Sequence, residues 1–477
     1  MFGAILLRAY GGLWKAATPF LRRHQRLADG FEQRLVPDAW PCATGSPVCN
    51  APGVRIWIQA ASGGEAWLVH SLIQAFHAQY AGRTDTSPPR LLCTTCTRQG
   101  LEVLAKLPQA QPSADSSMPV VLPRYFPLDH PALMDKALAA ARPGLLVLLE
   151  TEIWPGLLSA ATKRGVPVLV LNGRMTDKSL SAYRLLTPFW RSVAPARILA
   201  ISEDDAARFS RLFGRPDRVA VMSNIKFDRM AEAAASGPPP EAARLRREAG
   251  IPDGSLLAVF ASVREEEEDL LLPVLKALSG LRIGEAPAAL AVAPRHMHRV
   301  AAWKEKLAAA GLGCVPRSQS VGAPPRPEAS GVLPVFLWDT FGELQALYAV
   351  SDAAFIGGSL APLGGQNFLE APAQGVRAVV GPHTTNFLWA GDGLFTNGLA
   401  RQVADADALR DALEEELSLR YEALLRCSGG APHQDAAMRQ ARAALGQEIR
   451  ARFLSWLAPH TGGSAVASRA VLAQLNG

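Results

Sequence analysis

The sequence predicts an α/β protein of two doubly wound, Rossmann-like domains, and three observations carry that prediction. Short apolar runs alternate with amphipathic stretches from Val54 onward, the pattern of parallel sheets joined by crossover helices. A chain of 477 residues is too long for one ordinary core. The alternation breaks once, at "AAASGPPPEAARL" (Ala233–Leu245), whose glycine and three prolines read as an interdomain linker. The expected layout is an N-terminal segment (1–35), a first domain (36–230), a linker (231–245) and a second domain with terminal helices (246–477). The two domains are expected to face each other across a cleft.

The first segment, "MFGAILLRAYGGLWKAATPFLRRHQR", is apolar but interrupted by Arg8 and Lys15 and closed by Arg22, Arg23 and Arg26. It falls short of the ~20 uninterrupted apolar residues of a spanning helix. A broken apolar region without a clear small-residue cleavage site argues against a signal peptide. Aromatics (Phe2, Tyr10, Trp14, Phe20) among cations suit a helix lying in an anionic membrane interface; a helix packed on its own domain is the plain alternative. Strands are predicted at Val54–Ala60, Arg90–Thr94, Pro119–Leu122, Gly144–Leu149, Pro167–Leu171, Arg197–Ile201 and Arg218–Met222. In the first intervening helix Leu68, Leu72 and Phe76 recur every four residues. After the linker come Leu256–Ala261, Ala288–Ala293, Val332–Leu337, Ala353–Ile356 and Arg377–Val380, then helices from about Asp405 to Leu475. "GAPPRPEAS" (Gly322–Ser330) reads as a surface loop.

The composition, 49% hydrophobic and 19% charged, is that of a folded protein. Residues 1–230 hold 27 Lys and Arg against 17 Asp and Glu, and the remainder 22 against 26. A basic first half suits an anionic partner. Scattered cations without a recognition signature argue against nucleic acid. Six cysteines do not make a disulfide scaffold in so long a chain, and a reducing compartment is the simplest fit. Cys93-Thr-Thr-Cys96 lacks a second ligand pair at zinc spacing and reads as structural.

In the second domain polar residues gather at strand ends. Arg295 and His296 follow one strand, and Asp339-Thr340 and Gly342-Glu343 follow another, opening a helix whose free amides suit an anion. Arg295 is placed to supply a charge-assisted contact to a phosphate. A glycine-rich loop (Gly357, Gly358, Gly364, Gly365) precedes Asn367 and Glu370 on one helical face, where a carboxylate suits ribose hydroxyls. Each piece alone has a structural reading as a surface ion pair or a turn. Their order at successive strand ends points to a nucleotide-type donor, with neither a P-loop nor a GxGxxG fingerprint. The first domain uses different side chains: Glu65 after one strand, Glu150 and Glu152 after another, then Asn172, Arg174 and Lys178. Acids and cations at one sheet edge suit binding and deprotonation of a polar anionic acceptor; an internal Glu–Arg network is the alternative. Asp405-Ala406-Asp407 reads as helix capping, and Glu265–Glu268 as a solvated first turn.

In series, "AASGGE", "LLETEIWP", "LNGRMTDKSLSAYR", "SNIKFD", "APRH", "DTFGEL", "FIGGSLAPLGGQNFLEA" and "GPHTTNF" resemble the 3-deoxy-D-manno-octulosonic acid (Kdo) transferases of lipopolysaccharide synthesis. The resemblance extends to about Leu413. It implies a GT-B glycosyltransferase associated with the cytoplasmic face of the inner membrane, taking Kdo from CMP-Kdo to the primary hydroxyl of a lipid A precursor (lipid IVA) with inversion. It implies Glu65 as general base and Arg295, Gly342, Glu343, Asn367 and Glu370 in the CMP site. Glu150 matches a family acid, and Arg174 and Lys226 become contacts to acceptor or Kdo carboxylate. No catalytic metal and no cofactor are implied, since dipoles and cations stabilise the leaving phosphate. The chain departs from the family pattern at Ser223 (usually Gly), Arg264 and Gln366 (often His), and Phe368 and Ala371 (often Pro). The competing readings are a GT-B transferase or epimerase using another sugar nucleotide, and an inactive membrane scaffold.

Overall fold

A computed structural model of the protein describes residues 2–36, 40, 55–80, 90–107, 120–320, 332–428 and 435–476. The Gly322–Ser330 loop and the first residues of the expected strands at Val54 and Pro119 lie outside the described residues. The chain divides into two compact units, Met1–Arg229 with His460–Gly477, and Met230–Pro459.

The first unit is a seven-stranded sheet of β1 (Ile56–Gln59), β2 (Arg90–Thr95), β3 (Val120–Tyr125), β4 (Leu145–Leu149), β5 (Val168–Gly173), β6 (Arg197–Ala200) and β7 (Val219–Val221). The order is β3-β2-β1-β4-β5-β6-β7, and every pairing is parallel. Strands covered on both faces must be apolar throughout: all five residues of "LLVLL" in β4 are buried. Leu146 and Leu148 enter one core with helices Pro131–Ala141 and Pro155–Lys163, whereas Leu145, Val147 and Leu149 enter the other with helix Gly63–Tyr80.

The N-terminal helix, Phe2–Leu21, packs Leu6 and Leu7 on the first of these cores. Its Tyr10 hydroxyl donates to Asp129 at 3.0 Å. Asp129 is buried and also accepts the amides of Gly156 and Leu157, capping the helix that Pro155 opens. No helix among the described residues is long and apolar enough to cross a membrane.

The second unit is an eight-stranded sheet: β8 (Leu256–Val263), β9 (Arg282–Ile283), β10 (Ala286–Pro294), β11 (Cys314–Pro316), β12 (Val335–Leu337), β13 (Ala353–Ile356), β14 (Ala378–Val380) and β15 (Ala400–Gln402). The path runs β11-β12-β10-β8-β13-β14-β15, with β9 pairing β10 off it. Helices Ala406–Cys427 and Asp435–Leu457 complete this unit. Asp405 caps the former through the Ala408 amide, as its position in the sequence suggests.

Three features depart from expectation. The Ala233–Leu245 stretch is no extended linker: helix Ile225–Ser236 runs into it, and helix Ala242–Ala249 starts just after the prolines. The last helix, Gly463–Asn476, belongs to the first unit, where Ala467 and Val471 join the core of helix Gly63–Tyr80. The short strands β9, β11 and β15 carried too few residues to show a period.

Candidate active site

The strand order of the first sheet reverses between β1 and β4, and doubly wound sheets bind ligands at the carboxyl ends flanking such a point. Glu65 follows β1 in the first turn of helix Gly63–Tyr80, and Glu150 and Glu152 follow β4. The Ala61 amide donates to Glu65 Oε2 at 2.6 Å, and the Ser62 hydroxyl to Oε1 at 3.2 Å. Burial pushes the Glu65 carboxyl up to about 8, reinforced by the charges of Glu152 and Glu150 and opposed by those two donors. The helix start and its hydrogen bonds therefore lose to desolvation and like charge.

Glu152 accepts from Gln59 Nε2 at 2.9 Å and Trp154 Nε1 at 2.7 Å. The Gln59 amide is oriented from behind, its oxygen accepting from Thr94 at 2.6 Å while Trp57 donates to that same hydroxyl. Burial raises the Glu152 pKa against these donors, and Glu150 adds to the rise. Glu150 sits at φ +57°, a costly left-handed conformation for a non-glycine residue, and meets Lys226 Nζ at 2.5 Å. Asn172, at φ +56°, accepts the Ile225 amide at 2.9 Å and so fixes the helical turn that carries Lys226. Thr151 donates to the Arg174 carbonyl. Arg174 is half-buried, with no ion pair to any described residue, and Lys178 is exposed. Cys93 is core, and Cys96 accepts from Gln59 at 3.6 Å.

In the second sheet the reversal lies between β8 and β13. The carboxyl ends of β12, β10, β8 and β13 stand side by side, carrying Gly342, Arg295, Arg264 and Gly357-Gly358 in that order. Arg295 is exposed and its Nε donates to Gln366 Oε1 at 3.1 Å. Burial lowers the neighbouring His296, and Arg264 and Arg295 push in the same direction: this edge resists further positive charge. Asn367 Nδ2 donates to Glu370 at 2.8 Å. Glu343 precedes a short helix, Leu344–Ala349. Its carboxylate is engaged by Arg317 at 2.9 Å, Trp338 Nε1 at 3.0 Å and Thr340 at 2.6 Å, leaving the backbone at φ +87° Gly342 as the accessible feature of that turn.

The family model described as 3-deoxy-D-manno-octulosonic-acid transferase (kdotransferase) matches residues 24–229. The 3-deoxy-D-manno-octulosonic acid transferase of Bordetella pertussis is 30% identical over 398 residues, covering 80% of this chain and 84% of that one. The chain belongs to the 3-deoxy-D-manno-octulosonic acid transferase family. A second family member, from Haemophilus influenzae, is 26% identical over 87% of this chain and 88% of its own. Membership of the Kdo transferase family makes the chain a glycosyltransferase. The crystal structure of a glycosyltransferase from Rickettsia africae, 11% identical, superposes with a TM-score of 0.53 over 88% of this chain and 98% of that one. The likeness is one of fold: two parallel-sheet α/β domains of GT-B type.

For a Kdo transferase family member, one residue misread in the sequence stands out. Glu265–Glu268 is only half a solvated turn: Glu265 and Glu266 are exposed, but Glu267 and Glu268 are fully buried. Glu267 accepts the amides of Gly358, Ser359 and Leu360 at 2.5, 2.8 and 2.9 Å, and that of Arg264 at 3.1 Å. A Cβ on Gly357 would lie 2.6 Å from the Ser262 carbonyl and 2.9 Å from Glu267, so only glycine admits this approach. Glu268 binds Arg299 at 2.6 Å and Lys306 at 3.2 Å. The available signal was a run of acids at a strand end upstream of a glycine pair. Asn386, within "GPHTTNF", also went unnoticed; it clasps the same loop through the Leu363 and Gly365 carbonyls.

Proposed function

We propose that this protein transfers Kdo from CMP-Kdo to the primary hydroxyl of a lipid A precursor of lipid IVA type, inverting the anomeric carbon, with Glu65 as general base. The observation that carries the proposal is the Glu65 carboxyl, held by Ala61 and Ser62 at the first switch point and raised to about 8. Such a group is poor as a spectator ion and well matched to taking a proton near neutral pH. Glu65 removes the acceptor's hydroxyl proton as that oxygen bonds to Kdo C2. The bond from C2 to the CMP phosphate oxygen breaks, and CMP departs with the electron pair.

Glu150, Arg174 and Lys226 are assigned to acceptor or Kdo carboxylate. Arg295, the Gly342–Glu343 turn, Asn367 and Glu370 are assigned to the nucleotide, whose phosphate suits the cation-rich edge at Arg264, Arg295 and His296. The N-terminal helix is assigned to the cytoplasmic face of the inner membrane. Exposed Ile5, Leu13 and Phe20 alongside Arg8, Lys15, Arg22 and Arg23 support that assignment.

The test is mass spectrometry of lipid formed from CMP-Kdo and a tetraacylated disaccharide bisphosphate. A product heavier by one or more Kdo residues, abolished in Glu65→Gln, is expected. Donor binding without any mass shift would overturn the acceptor, and turnover of a UDP-sugar without acceptor would overturn the reaction class.

A further inference from the structure

The second unit also holds a cavity of about 530 Å³ that takes no part in the chemistry above. It lies at the amino ends of the strands: Asp352 immediately precedes β13, Arg377 immediately precedes β14 and Gly398 stands just before β15, and all three line it. Arg295 and Gly358 occupy the carboxyl ends of the same sheet, so this sheet separates the two places.

The lining is dominated by guanidinium groups. Arg420 is the central one, its side chain only 9% exposed. Its Nε faces Asp352 Oδ1 at 3.5 Å, and neither of its terminal nitrogens has a hydrogen-bond acceptor among the described residues. Asp352 is not Arg420's alone, because Arg442 at 3.0 Å and Arg246 at 3.5 Å share that carboxylate. Three buried arginines share Asp352, and Asp253, 4.0 Å from Arg246, is the second acid beside them; one positive charge is left over, which is costly without a further anion. Glu416 is committed to Arg377 at 2.8 Å. Arg452 rests on the Asn397 carbonyl, exposed Arg426 adds a cation at the mouth, and Glu448 is the remaining acid of the lining. Val376, Leu419 and Leu445 give the cavity an apolar wall. A volume of this size is typical of sites for small organic ligands.

We propose that this cavity is a second binding site, for a small soluble phosphorylated ligand whose phosphate is taken by Arg420 and whose body lies on the apolar wall. Cys427 is an exposed free thiol in the lining and serves as a local reporter that the donor site does not influence. The experiment measures the alkylation rate of Cys427 in the full-length protein by peptide mass spectrometry, with inorganic pyrophosphate as probe. Protection by about tenfold is expected at a concentration ten times the dissociation constant. Protection is expected to disappear in Arg420→Gln and in Ala423→Trp; the latter fills the cavity while keeping every charge, and leaves transferase activity unchanged. An unaltered Cys427 rate with pyrophosphate, or equal protection in Ala423→Trp, would overturn the site. Protection by phosphatidylglycerol vesicles but not by pyrophosphate would overturn the soluble ligand in favour of a lipid headgroup.

Discussion

Three carboxylates, Glu65, Glu150 and Glu152, crowd the switch point of the first sheet with Lys226 as the engaged cation. At the corresponding point of the second sheet stand Arg264, Arg295 and His296, and the carboxylate there, Glu267, is sealed beneath the loop it holds. The two sheets share a winding rule, and the rule supplies the place but not the charge. In the first unit burial and like charge raise a carboxyl's proton affinity; in the second they lower that of a histidine. Each edge thus disfavours the charge already concentrated there, negative at the first and positive at the second, and the proposed function gives each a different visitor: an acceptor hydroxyl at one, the donor's phosphate at the other.

The two edges part most sharply at Glu65. Glu65→Gln removes the base and keeps the hydrogen-bonding shape, so kcat should fall by about 10²- to 10⁴-fold with donor binding retained, as single-turnover assays and CMP-Kdo titration would read. If donor affinity fell with it, the division of labour would be wrong. Glu267→Ala should act on stability instead. Four amides lose a charged acceptor, at a cost of about 3 kcal/mol, measured by denaturant unfolding; an unchanged midpoint would mean that the loop holds itself. Arg295→Ala should weaken donor binding by about 10- to 100-fold, the worth of one hydrogen bond to a charged group, without altering the pH profile.

The profile of kcat/KM should lose activity toward acid with an apparent pKa near 8, and Glu152→Gln should move that limb toward lower pH by removing a neighbouring negative charge. Stability runs the opposite way. A carboxyl raised from 4.5 to about 8 on folding binds its proton more tightly when folded. Its contribution is therefore complete below about pH 4.5 and is lost as pH climbs through about 8. Glu65→Gln should flatten that part of the thermal-stability profile, and a limb unmoved in both variants would assign the titration elsewhere.

Much of this architecture was legible because central parallel strands must be apolar on both faces: "LLVLL" and "LLAVF" admit few other readings. Edge strands β9, β11 and β15, of two or three residues each, left no such trace. The prolines at 238–240 resembled a linker because proline marks any break, including the tight turn between two helices that they occupy. Glu65 and Arg295 were expected at the carboxyl ends of strands, where the structure has them, because a place after a strand is local information. Glu267 was not, because its loop partners lie 91 to 93 residues downstream, and a run of four acids whose first two are exposed looks hydrated throughout until the glycine loop closes on the third. The Gly342–Glu343 turn was named for its helix-start amides; that the Glu343 carboxylate is itself engaged by Arg317 was not legible, because the two have no fixed spacing.

The return of helix Gly463–Asn476 to the first unit has a bearing on how the protein is made. Leu68 and Leu72 belong to the hydrophobic cluster that Ala467 and Val471 complete, yet all of Met230–Pro459 is synthesised before those residues exist. At roughly 5–20 residues per second, that face of the nascent sheet waits some tens of seconds for its cover. During the interval that apolar face lacks part of its cover, and transiently exposed apolar surface of this kind is what makes nascent chains prone to aggregate.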